Sequence, residues 1–160
     1  LMDTLQPCLD ALREGQPVRS VDFSAEQRAI LATQQLITSK PLLYVCNVGE
    51  DEVIEGNEHS KAMEALAAAE GAATIRISAA IEEEIAQMDA EDQEVFLADL
   101  GLAEAGLDRL IREGYGLLEL TTFFTCGPKE ARAWTVRQGA TAPNAAGVIH
   151  TDFERGFIRA

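Results

Sequence analysis

The 160-residue chain carries 13 Lys and Arg against 27 Asp and Glu, a net charge of −14, with 47% hydrophobic residues. Such apolar content can form the core of one ordinary domain or parts of two small ones and excludes a disordered chain; the acidic balance argues against a basic clamp on nucleic-acid phosphates. No apolar stretch approaches the roughly 20 residues that span a bilayer, and the start LMDTLQPCLDALREG lacks both a basic n-region and an unbroken apolar run, so a cytoplasmic protein is expected.

Leu5, Cys8, Leu9 and Leu12 recur at helical spacing before Gly15 and Pro17, which predicts a helix ending near Glu14. Ser24 followed by Gln27 is a capping-box signature, and Ile30, Leu31, Gln34 and Ile37 carry a second helix to about Thr38. The two read as an antiparallel hairpin without an independent core of note, either an arm or the remnant of something larger. From Pro41 to Val48 the chain is rich in Leu, Val and Tyr with no polar alternation, which predicts a strand buried on both faces of a parallel sheet. Asn57 can cap a helix over Glu58 to Glu70 that ends at Gly71, and ATIRISA reads as a second strand. Strand, helix, strand in this order is a βαβ unit with parallel strands.

After Ala80 the sequence turns acidic and helical, with Ile81, Ile85 and Met88 as an apolar face and Glu82, Glu83 and Glu84 as a solvated one. From Leu118 two β-rich runs flank a Gly-Pro turn and predict a hairpin opening a small second domain, with Thr122, Phe124, Arg132 and Trp134 in alternation. Pro143 suits the first turn of a helix from Ala142 to Ile149, and HTDFERGFIRA is expected to enter a strand.

Cys8, Cys46 and Cys126 are odd in number and lack CxxC or Cys/His spacing, which argues against disulfides and zinc; each is expected as a small buried hydrophobe. Neither His59 nor His150 has a partner acid and serine in a triad arrangement, so no catalytic residue is assigned.

The run LLYVCNVGED carries the clearest site signal. Asn47 and Glu50 fall where a parallel strand leaves the sheet, the edge at which α/β folds bind ligands. The Asn side chain can bond a purine ring nitrogen, and the backbone amide and carbonyl of Val48 can read an amino or imino edge. Guanine recognition calls for Asn-Lys-x-Asp, whereas Val48 stands in the lysine position and Glu50 in the aspartate position, which argues against a strong guanine preference and admits adenine. Taken alone, the loop reads more readily as a plain strand-to-turn exit, where Asn and Gly are favoured for their backbone tolerance. Ser78, Ala79 and Ala80, after the second strand, are small enough to let backbone N–H groups approach a base.

YVCNVGED, ISAAIEEEIAQM, FLADLGLAEAGLDRLIREGYGLL and above all TTFFTCGPKEARAWTVRQGATAPNAAGVIHTDFERGFIRA resemble the YchF family within the Obg-related translation-factor GTPases, over essentially the whole chain. The resemblance implies an α/β architecture in which a P-loop nucleotide-binding domain is interrupted by a coiled-coil helical insert and followed by a β-grasp TGS domain. Residues 1–40 resemble the end of the insert, 41–118 the C-terminal half of the nucleotide domain with its parallel sheet and helices, and 119–160 the N-terminal part of the TGS domain. By resemblance, Asn47, Val48 and Glu50 fill the family's Asn-x-x-Glu base motif, associated with ATP over GTP, and Ser78, Ala79 and Ala80 the second base-contacting loop. Also implied are ATP (or GTP) with Mg2+, hydrolysis to ADP and phosphate, and the ribosome or ribosomal RNA or protein as partner.

No G-x-x-x-x-G-K-[ST] occurs in the sequence. The phosphate cradle, Mg2+ ligands and water-positioning group are therefore expected outside this stretch, which would be inactive alone and prone to self-association through an unpaired sheet edge. A competing expectation is an RNA- or ribosome-binding adaptor acting through Arg132, Arg137, Arg155 and Arg159, with nucleotide secondary.

Overall fold

In the computed structural model, which describes residues 1–159, helices alternate with two separate pairs of strands, and the chain divides into two units, Leu1–Ser78 and a second from Ala79 onward. The first unit begins with helix α1 (Met2–Arg13), which ends at Glu14 as its periodicity predicts. Pro7 lies inside α1 and has no N–H to give the Asp3 carbonyl; Gln27 Nε2 donates to that carbonyl, at a long 3.5 Å.

Helix α2 (Ala25–Gln34) starts with the expected box, Ser24 Oγ accepting from Gln27 N–H at 3.2 Å and Gln27 Oε1 from Ser24 N–H at 3.0 Å. It stops at Gln34, short of the predicted Thr38. Gln35 takes a left-handed conformation, φ 52°, and Ile37–Ser39 forms a separate 3₁₀ turn. The absence of an independent core is also corrected: Cys8, Val18 and Leu31 are buried together, with Phe23 and Leu36 packed against them. Val18 lies in a 3₁₀ turn (Val18–Ser20) outside both helical stripes, so helical periodicity alone does not reveal it.

Strand β1 (Leu43–Asn47), helix α3 (Glu58–Glu70) and strand β2 (Ala73–Ile77) form the βαβ unit. The strands are parallel, Leu43 opposite Ala73 and Asn47 opposite Ile77. Helix α3 has the predicted boundaries, Asn57 Oδ1 accepting from Ser60 N–H at 2.9 Å and Gly71 closing its end at φ 67°. Burial of β1 on both faces is not observed, since Val45 is 43% exposed. In a two-stranded sheet the crossover helix shields one face, and residues pointing the other way meet solvent. Glu70 ties the unit together: Oε2 accepts from Arg19 Nη2 at 3.0 Å and from Tyr44 OH at 2.9 Å.

The second unit opens with three helices, α4 (Ala79–Ile85), α5 (Ala90–Asp99) and α6 (Gly106–Leu117). Ile81 and Ile85 are buried as expected, and Met88 is half-buried just beyond α4. Glu83 and Glu84 are solvated, but Glu82 departs from that expectation. Its carboxylate accepts from the N–H groups of Gly106 at 2.7 Å and Leu107 at 3.1 Å, capping α6 from another helix.

Strands β3 (Leu120–Cys126) and β4 (Ala131–Arg137) form the predicted antiparallel hairpin, with Phe123 opposite Trp134 and Phe124 opposite Ala133. Residues directly opposite share a face, so Phe123, Thr125, Arg132, Trp134 and Val136 lie on one face and Thr122, Phe124 and Arg137 on the other. Helix α7 (Ala142–Ile149) has Pro143 in its first turn. The strand expected in HTDFERGFIRA is a short helix instead, α8 (Thr151–Arg155), because the side chain of His150 caps it, Nδ1 accepting from Asp152 N–H at 3.1 Å. The cysteines differ from one another: Cys8 is buried, Cys46 half-buried, and Cys126 exposed at the last position of β3, against expectation.

Candidate base-recognition loops

The register of β1 and β2 determines where the two loops begin. Asn47 is opposite Ile77, and the N–H of Val48 donates to the Ile77 carbonyl at 2.9 Å, extending the ladder by one bond. Because the strands are parallel, Val48 and Ser78 leave the sheet at the same edge. Asn47 is exposed, Val48 half-buried and Ser78 only 3% exposed. Glu50, exposed, opens a 3₁₀ turn (Glu50–Glu52). Ala79 and Ala80 are exposed at the start of α4 in the second unit. The bond from Val48 corrects one expectation: its amide is engaged within the sheet and does not face outward to read a base edge.

Three residues that sequence reasoning passed over shape the segment between Asn47 and α3. Glu52 Oε2 accepts from Gly49 N–H at 3.1 Å and from Asn57 Nδ2 at 2.8 Å. The Asn57 amide bond, followed by that of Gly49 and the charge of His59, holds the Glu52 carboxyl below the usual carboxylate range against the opposing effect of desolvation. Arg76 reaches from β2, donating through Nη1 to the Ile54 carbonyl at 2.7 Å and pairing through Nε with Glu64 on α3 at 3.0 Å. Gly56 adopts φ 71°, and a Cβ there would fall 2.6 Å from Ser60 Oγ and 2.7 Å from Arg76 Nη1, so any other residue would be strained and would displace one of these side chains. Gly56 next to a capping Asn was a readable signal; the pairing of Arg76 with Ile54, far apart in sequence, was not.

Beside β1 lies an open cleft of about 320 Å³, lined by Tyr44, Cys46 and Asn47 on the strand, by Val48 just after it, and by Asn57 and His59 at the start of α3, among others. Its size falls within the range of small-molecule sites. Glu50 and Ser78 do not line it, so the cleft and the strand-end rim share Asn47 and Val48 only.

In the second unit, the Arg132 guanidinium stacks 4.1 Å from the centre of the Trp134 ring, whose Nε1–H donates to Thr125 Oγ1 at 2.9 Å. Arg137 is on the opposite face of the hairpin, so Arg132 and Arg137 do not share a face there.

An α/β chain with a parallel strand–helix–strand unit followed by an antiparallel hairpin is the class these observations define. Residues 120–160 match the family YchF-GTPase_C, described as a protein of unknown function (DUF933). Over 160 residues, 99% of its length, the chain is 48% identical to the ribosome-binding ATPase YchF of Bacillus subtilis strain 168, covering 44% of that protein. Over 156 residues, 98% of its length, it is 48% identical to the ribosome-binding ATPase YchF of Escherichia coli O157:H7, covering 43% of it. Among solved structures, that of the Schizosaccharomyces pombe YchF GTPase matches with a TM-score of 0.85 at 32% identity, covering 98% of this chain and 42% of that one. Nearly the whole chain is therefore similar to YchF proteins, and it spans less than half the length of these relatives.

Proposed function

We propose that residues 1–160 form the base-recognition part of a cytoplasmic P-loop ATPase that associates with the ribosome and prefers ATP to GTP. In this reading residues 1–40 are the end of a helical insert, 41–118 the C-terminal half of the nucleotide domain, and 119–160 the front of a TGS domain. The observation that carries it is the parallel register of β1 and β2, which brings Asn47 and Ser78 to one edge of the sheet. The bacterial relatives, named ribosome-binding ATPases, support it.

The residues present suit a purine edge. Asn47 is exposed and both donates and accepts, the Val48 carbonyl accepts, and Glu50 sets a carboxylate on a longer stem than the Asp of a guanine motif. Val48 supplies no lysine stem to cover a guanine ring. Bound ATP with Mg2+ supplies the phosphoanhydride and the cation that neutralises its phosphates; with no G-x-x-x-x-G-K-[ST] in this sequence, their binding is assigned to the protein outside these residues. What this stretch does is orient the base and contribute the difference between adenine and guanine.

Measuring ATP and GTP affinities of the full-length protein tests the reading. ATP is expected to bind at least about tenfold tighter, about 1.4 kcal/mol, and a tenfold preference for GTP overturns it. The stacked Arg132–Trp134 pair favours a second reading, an RNA- or ribosome-binding adaptor. Reversing the charge of Arg132, Arg137, Arg155 and Arg159 would then abolish co-sedimentation with ribosomes, and unchanged sedimentation would place docking elsewhere.

A further inference from the structure

We propose that Glu52 is the positioning residue of the base-reading loop, fastening the turn at Gly49 to the cap of α3 at Asn57 through one carboxylate oxygen and so holding Val48 to Glu50 in the shape that meets the purine. The inference rests on the nucleotide reading of this loop and adds a residue to it. Asn57 is occupied on both sides: Oδ1 caps Ser60 N–H while Nδ2 donates to Glu52, so the loop is anchored to a helix terminus that is itself fixed. On the far side, Arg76 holds the Ile54 carbonyl and is held in turn by Glu64. Between these two fasteners the backbone from Gly49 to Gly56 has little freedom, although it contains two glycines and links a strand to a helix without regular structure beyond one 3₁₀ turn.

A loop fixed before binding does not have to be ordered by the ligand, and the affinity it preserves is the ordering entropy avoided. Glu52 does not line the cleft beside β1, and its carboxylate is turned toward the loop's own donors. Its effect on the ligand is therefore indirect. Oε2 receives both hydrogen bonds, which distinguishes geometry from charge: glutamine offers one carbonyl oxygen at the same reach, whereas aspartate keeps the charge and is one methylene shorter.

The test uses the full-length protein, with Mg2+, and measures the affinity of ATP and, by competition, of tripolyphosphate, which has no base. Glu52→Ala and Glu52→Asp should each weaken ATP by about tenfold while Glu52→Gln stays within about threefold of the parent, and tripolyphosphate should be unchanged in all three. Thermal melts identify folded variants, and Glu52→Asp carries the test if Glu52→Ala does not fold. A folded Glu52→Ala or Glu52→Asp protein that binds ATP like the parent overturns the proposal, as does a loss shared equally by ATP and tripolyphosphate, the mark of general damage. Asn47→Ala separates this from the reading beneath it. If Asn47→Ala weakens ATP and the Glu52 variants do not, the fastener alone fails; if Asn47→Ala has no effect, base recognition at this edge fails and the fastener with it.

Discussion

The parallel pair β1–β2 and the antiparallel pair β3–β4 are both two-stranded, yet they are held in different ways. In the hairpin a short turn closed by Gly127 N–H donating to the Glu130 carbonyl at 2.9 Å sets the register, and the partners are neighbours in sequence. In the βαβ unit residues 48–72 separate the strands, and the connection is secured by polar side chains, from distant segments in the case of Arg19 and Tyr44 on Glu70 and Arg76 on Ile54, and from within the loop in the case of Glu52 on Gly49 and Asn57. A long connection costs more entropy to close and leaves its loops free unless side chains fix them, whereas a tight turn fixes itself. Ligand sites of α/β folds sit on loops of the first kind.

The difference can be broken hardest at the core of the first unit. Leu31→Ala removes buried side chain from the Cys8–Val18–Leu31 cluster and is expected to cost about 2–5 kcal/mol in denaturant unfolding. A cost under about 1 kcal/mol would mean the cluster does not hold that unit together. Next comes Glu82→Ala, which strips α6 of the acceptor for two of its first N–H groups and should cost about 1 kcal/mol by the same measurement.

Acid sensitivity sharpens the contrast. The Arg19 and Tyr44 hydrogen bonds hold the Glu70 carboxyl below its ordinary value of 4.5. A depressed folded value gives stability that is present above the unfolded value and is lost as pH falls through the folded one. Melting temperature should therefore decline below about pH 4.5, and less steeply in Glu70→Gln, which keeps an acceptor and has no proton to take up. Equal slopes in the two proteins would remove Glu70 from the account. Tyr44 has the opposite sign: its hydrogen bond to Glu70 raises the hydroxyl above 10.0, so its contribution is lost only in strong alkali. The smallest effect is expected at Phe124→Ser, on the open hairpin face and 78% exposed, where stability should change by less than about 0.5 kcal/mol.

Much of the framework was legible because it is written in local signals. The Ser24–Gln27 box, the Asn57 cap with Gly71 at the other end of α3, the two β-rich runs and the Gly-Pro hairpin all act within a few residues of where they are read. The misreadings share the opposite property. Helix α2 ends at a left-handed glutamine, a residue that announces no stop, and the helix over Thr151–Arg155 depends on a histidine acting as its cap. Val18 joins the core from a turn, outside any periodic stripe. At the candidate site Asn47 and Ser78 could be placed on one edge from the βαβ pattern alone. That the Val48 amide is consumed by Ile77, and that Arg76 holds Ile54, follows from register and tertiary reach, which no single stretch of sequence encodes; the bonds of Glu52 to Gly49 and Asn57 are local, but an acid in an acidic run carries no mark that singles it out.

A crystal structure of the full-length protein with Mg2+ and a non-hydrolysable ATP analogue tests the central claim most directly. The adenine ring should lie at the carboxyl ends of β1 and β2, within hydrogen-bonding distance of the Asn47 side chain and against the backbone at Ser78. A purine bound away from that edge, touching neither residue, would contradict it.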